Sequence, residues 1–175
     1  TIWSDHRGRL YHFNGMAVEG GWHDLAMLVR ESDDNGATWT KPRIIAPKHG
    51  LGNMPISSTF RRKDGTIWVP CDAVAGANGG SILHLSSDNG NTWQLPSRGK
   101  PVPRFLPGQS GARIAGIHAA VDQWIDGSLV AVGRGDSING RMPLSLSRDG
   151  GVSWTYAASP FPPIAGGQRA VLRRL

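Results

Sequence analysis

Ser32-Asp33-Asp34-Asn35-Gly36-Ala37-Thr38-Trp39 is one of three versions of a single octapeptide in this chain. The others are Ser86-Ser87-Asp88-Asn89-Gly90-Asn91-Thr92-Trp93 and Ser147-Arg148-Asp149-Gly150-Gly151-Val152-Ser153-Trp154. Each reads Ser-x-Asp-x-Gly-x-Thr/Ser-Trp, and the aspartates at 34, 88 and 149 are nearly evenly spaced. Every position has a physical use in a turn. The Asp and Ser/Thr oxygens accept hydrogen bonds from nearby amides, and the glycine takes a positive φ at little steric cost. The tryptophan covers the turn with a large apolar face. Asp34, Gly36, Trp39, Asp88, Gly90, Trp93, Asp149, Gly151 and Trp154 are therefore expected to be structural, as clasps on hairpins.

A second repeat runs in step with the first. Arg7-Gly8-Arg9-Leu10-Tyr11, Asp64-Gly65-Thr66-Ile67-Trp68 and Asp126-Gly127-Ser128-Leu129-Val130 each set a turn glycine before an apolar run, a hairpin signal. Each unit thus reads strand, tight turn, strand, longer loop, strand, box, strand. In the second unit the strands are expected at Ile56–Arg62, Thr66–Cys71, Ser81–Ser86 and Thr92–Leu95. Four strands per unit, repeated, predict an all-β chain of four-stranded antiparallel blades, a β-propeller. The blades fall at about 1–47 (without its first strand), 48–103 and 104–164. Residues 166–175 read as the first strand of a further blade. Three blades do not close a ring, so the chain is expected to be part of a larger propeller, or to pair with a second copy that covers its open strand edges.

Composition agrees with this architecture and excludes several others. The chain has 175 residues, 24 of them Gly and 12 Pro, which favours turns and short strands over long helices. No apolar run reaches the ~18 residues that span a bilayer. The start, Thr1-Ile2-Trp3-Ser4, has neither a basic nor an apolar leader segment, so no signal peptide is expected within the chain. One cysteine, Cys71, excludes a disulfide framework. The net charge of +6 comes mainly from arginine, whose planar fork suits carboxylate, sulfate or phosphate. An acidic ligand, nucleic acid and ordinary surface solvation all fit that charge. No nucleic-acid module accompanies the short basic clusters Arg61-Arg62-Lys63 and Arg173-Arg174, so no nucleic-acid partner is expected.

The octapeptide resembles the Asp box, or BNR repeat, of the sialidase superfamily, and the resemblance extends over nearly the whole chain through the boxes, turn glycines and blade spacing. It implies a six-bladed propeller, about half of it present here. It also implies a secreted or periplasmic exo-glycosidase acting on a terminal acidic sugar. Sialidases use a Tyr nucleophile paired with Glu, an Asp acid/base and three arginines on the substrate carboxylate; an Arg fork answers a carboxylate bidentately. The match is incomplete. The family's Arg-Ile-Pro is absent, its nearest counterpart being Asn53-Met54-Pro55-Ile56. Tyr11 and Tyr156 fall on expected strands, and no Tyr–Glu pair is evident.

In such a propeller the boxes lie on one face, and the strand two–three and blade-to-blade loops lie on the other. That second face carries Glu19, His23, Asp24, His49, Asn53, Asp72, Asn78, Arg113, His118, Arg134, Asp136, Arg141, Gln168 and Arg169. Among these, Asp72 and His118 are the expected catalytic residues. Arg134, Asp136, Arg141, Arg169, Asn53 and Arg113 are the expected substrate-binding residues. For Asp72 loop capping is the alternative, for His118 and Arg169 a polar shaft position, and for Arg134 and Arg141 pairing with Asp136. The tripeptide Arg134-Gly135-Asp136 is read as a chance adhesion motif. The six histidines show no metal spacing, so no cofactor or metal is expected; calcium held by loop carbonyls would leave no sequence signature. The expected function is a sialidase-like hydrolase of a terminal sugar on a glycan. The alternative is a non-catalytic Asp-box propeller that binds glycan or a protein partner.

Overall fold

The structure, a computed structural model, describes residues 1–173 apart from 6, 22, 57, 58, 74–78 and 165. Among them are thirteen β-strands and no α-helix. β1 (Ile2–Ser4), β2 (Leu10–Met16), β3 (Leu25–Ser32) and β4 (Arg43–Gly50) form one antiparallel sheet in that order. β5 (Met54–Pro55) and β6 (Phe60–Arg61) both pair with β7 (Ile67–Asp72), which pairs with β8 (Ser81–Ser86). The third sheet runs β10 (Ile117–Gln123), β11 (Leu129–Arg134), β12 (Pro143–Ser147), β13 (Trp154–Ala158) and finally β9 (Ser110–Gly111). These are successive blades of a propeller.

Alternation along the strands explains the packing. β7 is buried along its whole length, because both of its faces meet another blade. Ile67, Val69 and Cys71 join Tyr11, Phe13, Met27 and Val29 in the core between the first two blades. Trp68 points the other way, into a second core with Leu83, Ile114, Val121, Leu129, Trp154 and Tyr156.

Four details differ from the sequence reading. The first blade does have an inner strand: β1 pairs with β2, Trp3 opposite Tyr11. The Asp5 carboxylate holds the Arg7 and Arg9 amides at 2.9 and 3.0 Å and so closes the turn between them. The inner strand of the second blade pairs with β7 at Pro55–Cys71 and again at Phe60–Trp68, in a register shifted by two residues, and Pro70 of β7 has no amide hydrogen to contribute to the ladder. The outer strand of that blade shrinks to Gln94, which exchanges both hydrogen bonds with Leu85. Residues 166–173 form no strand; Ala170 and Leu172 instead pack on Ala120, Val132 and Met142.

The boxes are built alike. In each, the serine hydroxyl donates to the Asp carboxylate, Ser32 to Asp34, Ser86 to Asp88 and Ser147 to Asp149, at 2.7–2.8 Å. The same oxygen accepts the amide of Gly36, Gly90 or Gly151 at 2.8–2.9 Å. Each turn needs two successive positive φ angles, supplied by Asn35-Gly36, Asn89-Gly90 and Gly150-Gly151. Trp39 and Trp93 donate their indole N–H back to Gly36 and Gly90, and Trp154 is buried between blades.

Candidate functional site

Asp72 is the last residue of β7, on the face opposite the boxes, with Met54 and Ser81 as its register partners. His118 comes from β10 of the next blade. There the ladder slips between Ile117 and Ala120, and His118 is turned into the left-handed region at φ 51°. Three groups hold the stretch in that shape. Asp136 accepts the Gly116 amide at 3.0 Å. The Ser81 hydroxyl donates to the Gly116 carbonyl at 3.0 Å and accepts the Ala119 amide at 3.3 Å. The Asp72 carboxylate accepts the His118 amide at 2.7 Å.

The twist brings the imidazole onto Asp72. His118 Nε2 lies 3.0 Å from Asp72 Oδ2, and Arg134 Nε donates to His118 Nδ1 at 2.9 Å. A guanidinium can only donate, so Nδ1 is bare and the ring proton sits on Nε2, facing the carboxylate. Asp72, His118 and Arg134 therefore form one chain of hydrogen bonds across two blades. Burial pushes the Asp72 carboxyl up to about 6, against the His118 amide, Arg134, Ser81 and Arg169, all of which favour its charge. Burial, with Arg134 and Arg169 adding to it, lowers His118 to about 4. A carboxyl group that keeps its proton to about pH 6 beside an imidazole that stays neutral has the proton affinity a general acid needs in mild acid.

The remaining candidates are dispersed around this pair. Arg169 reaches the carbonyl of Ile56 at 3.4 Å and acts electrostatically on both Asp72 and His118. Arg134 spends its Nε on His118 and forms no ion pair with Asp136 among the described residues. Arg141 is exposed in the Ile138–Arg141 hairpin beyond β11. The Asn53 amide donates to the carbonyls of Leu25 and Lys48 at 2.7 and 2.8 Å, fastening the loop between the first two blades. Arg113 donates to the Gly79 carbonyl. Glu19 and Asp24 stay in the first β2–β3 loop, His49 Nδ1 meets the Asp24 carbonyl, and Gln168 lies in the terminal segment. Asn78 lies outside the described residues. A depression of about 480 Å³ adjoins the pair through Met54 and is walled by Phe13, Gly15 and Leu25.

Sequence reasoning missed the residues that build the pair. Ser81 and Gly116 carry no motif, and the bulge that aims His118 has no local signal. Both tyrosines are core residues: Tyr11 stacks near Phe13, and the Tyr156 hydroxyl donates to the Arg113 carbonyl. Among the described residues no group of three or more His, Cys, Asp or Glu side chains is placed to hold a metal.

Several solved structures share this architecture. A protein of unknown function from Dyadobacter fermentans superposes with a TM-score of 0.59 at 16% identity, over 92% of this chain and 50% of the other. A Hadza microbial sialidase gives 0.55 at 16% identity, over 91% and 33%. The NanB sialidase of Streptococcus pneumoniae gives 0.54 at 18% identity, over 83% and 20%. The chain thus spans between a fifth and a half of the structures it resembles, and at these identities the likeness is one of fold. Residues 1–172 match the BNR repeat-like domain family. With its three Asp-box blades and a match along almost its whole length, this chain belongs to the BNR repeat-like domain family.

Proposed function

We propose that this propeller is part of a sialidase-like exo-glycosidase that removes a terminal acidic sugar, with Asp72 as its acid/base. The observation that carries the reading is the Asp72–His118–Arg134 chain, built on a residue held in a strained backbone conformation. Strain of that kind persists where surrounding structure overrides it, and it concentrates at working sites. A staple between blades would need no left-handed histidine.

In this mechanism protonated Asp72 gives its proton to the glycosidic oxygen as the C–O bond breaks, and the ionised carboxylate takes a proton from water in the second step. His118 holds the carboxyl in place without competing for its proton, because its own affinity for a proton is depressed. Arg134 and Arg169 supply positive charge for the carboxylate of the sugar. The buried tyrosines leave the nucleophile to chain outside these three blades. The similarity to sialidases supports the substrate class.

Fluorogenic α-N-acetylneuraminide and β-glucuronide substrates test the reading with the whole protein. One of them is hydrolysed, with a rate that falls above pH 6 as Asp72 loses its proton, and Asp72→Asn slows it roughly 10²–10⁴-fold. Binding without turnover by the unmodified protein would overturn catalysis in favour of a glycan-binding propeller.

A further inference from the structure

A second cleft, of about 360 Å³, opens beside Asp72 on the outer side of the second blade. It reaches the Asp72 site through Ala73, the next residue in the chain, and through Asn53, which adjoins Met54. Among the described residues its walls carry Lys48, Arg98, Lys100 and Arg113 and no carboxylate. None of these four cations enters an ion pair among the described residues. By contrast Arg9 and Arg43 pair with Glu31, Arg61 with Asp5 and Arg62 with Asp64. Arg113 is half-buried, its Nε has no hydrogen-bond partner, and burial lowers its proton affinity with no anion nearby to compensate. Four like charges converging on one cleft repel each other and are stabilised by an anion in their midst.

We infer that this cleft is an anion-binding subsite that holds a carboxylate- or sulfate-bearing sugar of the same glycan chain whose terminal residue is presented to Asp72. Among the described residues the lining has no Trp, Tyr or Phe on which a base would stack, which favours an acidic glycan over a single-stranded nucleic acid. Asn53 ties the subsite to the first blade: its two hydrogen bonds fix the loop that carries Lys48. The inference rests on the reading of Asp72 as a site for acidic sugars, and the two can fail separately.

Calorimetric titration of the whole protein with a sulfated uronate hexasaccharide and with its unsulfated counterpart distinguishes them. The expected result is binding of at least one, weakened as salt rises and at least tenfold weaker in the Lys48→Ala/Lys100→Ala variant. The preferred oligosaccharide identifies the anion. Calorimetry reads binding without turnover, so a failure of the hydrolysis assay leaves this result intact. Both lysines are exposed, and an unchanged circular dichroism melting curve checks that the variant is folded. Binding of neither oligosaccharide, equal binding by the double variant, or equal competition by a single-stranded oligonucleotide would overturn the inference.

Discussion

His118 holds a left-handed conformation, φ 51°, that costs a non-glycine residue about 1–2 kcal/mol, and the hydrogen bonds of Asp72, Ser81 and Asp136 hold it there. The proton of the Asp72–His118 pair is also displaced. Between about pH 4 and 6 the folded protein keeps one proton, on Asp72. The unfolded chain over the same range also keeps one, on the histidine. Equal proton counts in the two states give no slope of stability with pH. Exchanging the pair in an Asp72→Asn/His118→Gln variant is therefore expected to leave the slope of urea-derived stability between pH 4 and 6 unchanged. Nitrogen NMR should find the His118 ring neutral at pH 5, and a charged ring at that pH would refute the assignment. His84 behaves differently. It is buried and its Nε2–H donates to the Gly52 carbonyl at 2.8 Å, with burial holding its proton affinity down to about 4. The unfolded chain takes up a proton near 6.5 that the folded protein refuses until about 4, so stability falls as pH drops through that window. The loss amounts to roughly 3 kcal/mol from pH 7 to 4. His84→Gln, which does not titrate, should flatten that loss in urea melts.

At the scale of the element, the box serine is the residue that joins two halves of a turn. Ser147 is buried, donates to Asp149 and accepts the Gly151 amide. Ser147→Ala strands that amide and is expected to cost about 1–3 kcal/mol, read as a lowered urea midpoint. Ser86→Ala should behave alike, since its geometry is the same. This much was legible in the octapeptide, because the hydrogen bonds that close its turn are local. The register shift along the second blade's inner strand was not legible, since it is set by the pairing with β7.

For the whole molecule, arginines on the box face tie one blade to the next. Arg61 of β6 pairs with buried Asp5 of the first blade at 3.1 Å, donates to Asn89 in the second box at 2.9 Å and sits over the Trp3 ring. Arg43 of β4 donates to the Gly90 and Asn91 carbonyls of the same box. Part of the arginine excess that suggested an acidic ligand is therefore structural. The side chains of Arg61 and Asp5 are 8% and 2% exposed, so breaking the pair leaves a buried charge without its partner. Arg61→Met is expected to destabilise the protein by about 3–5 kcal/mol, and Arg61→Met/Asp5→Asn by less, in a double-variant cycle of urea melts.

The sequence by itself determined the blade. Boxes, turn glycines and alternating apolar residues act over a few neighbours, so their spacing alone specified strands, hairpins and the repeat, and the repeat specified a propeller. It also marked Asp72, His118, Arg134, Asp136 and Arg169 as residues of one face. Only the tertiary structure decided which of them meet. Asp72 and His118 stand on different blades, and their contact depends on how β7 packs on β10 and on a bulge held by Ser81 and Asp136. Proton affinities follow from burial, and burial is a property of packed blades rather than of any one of them.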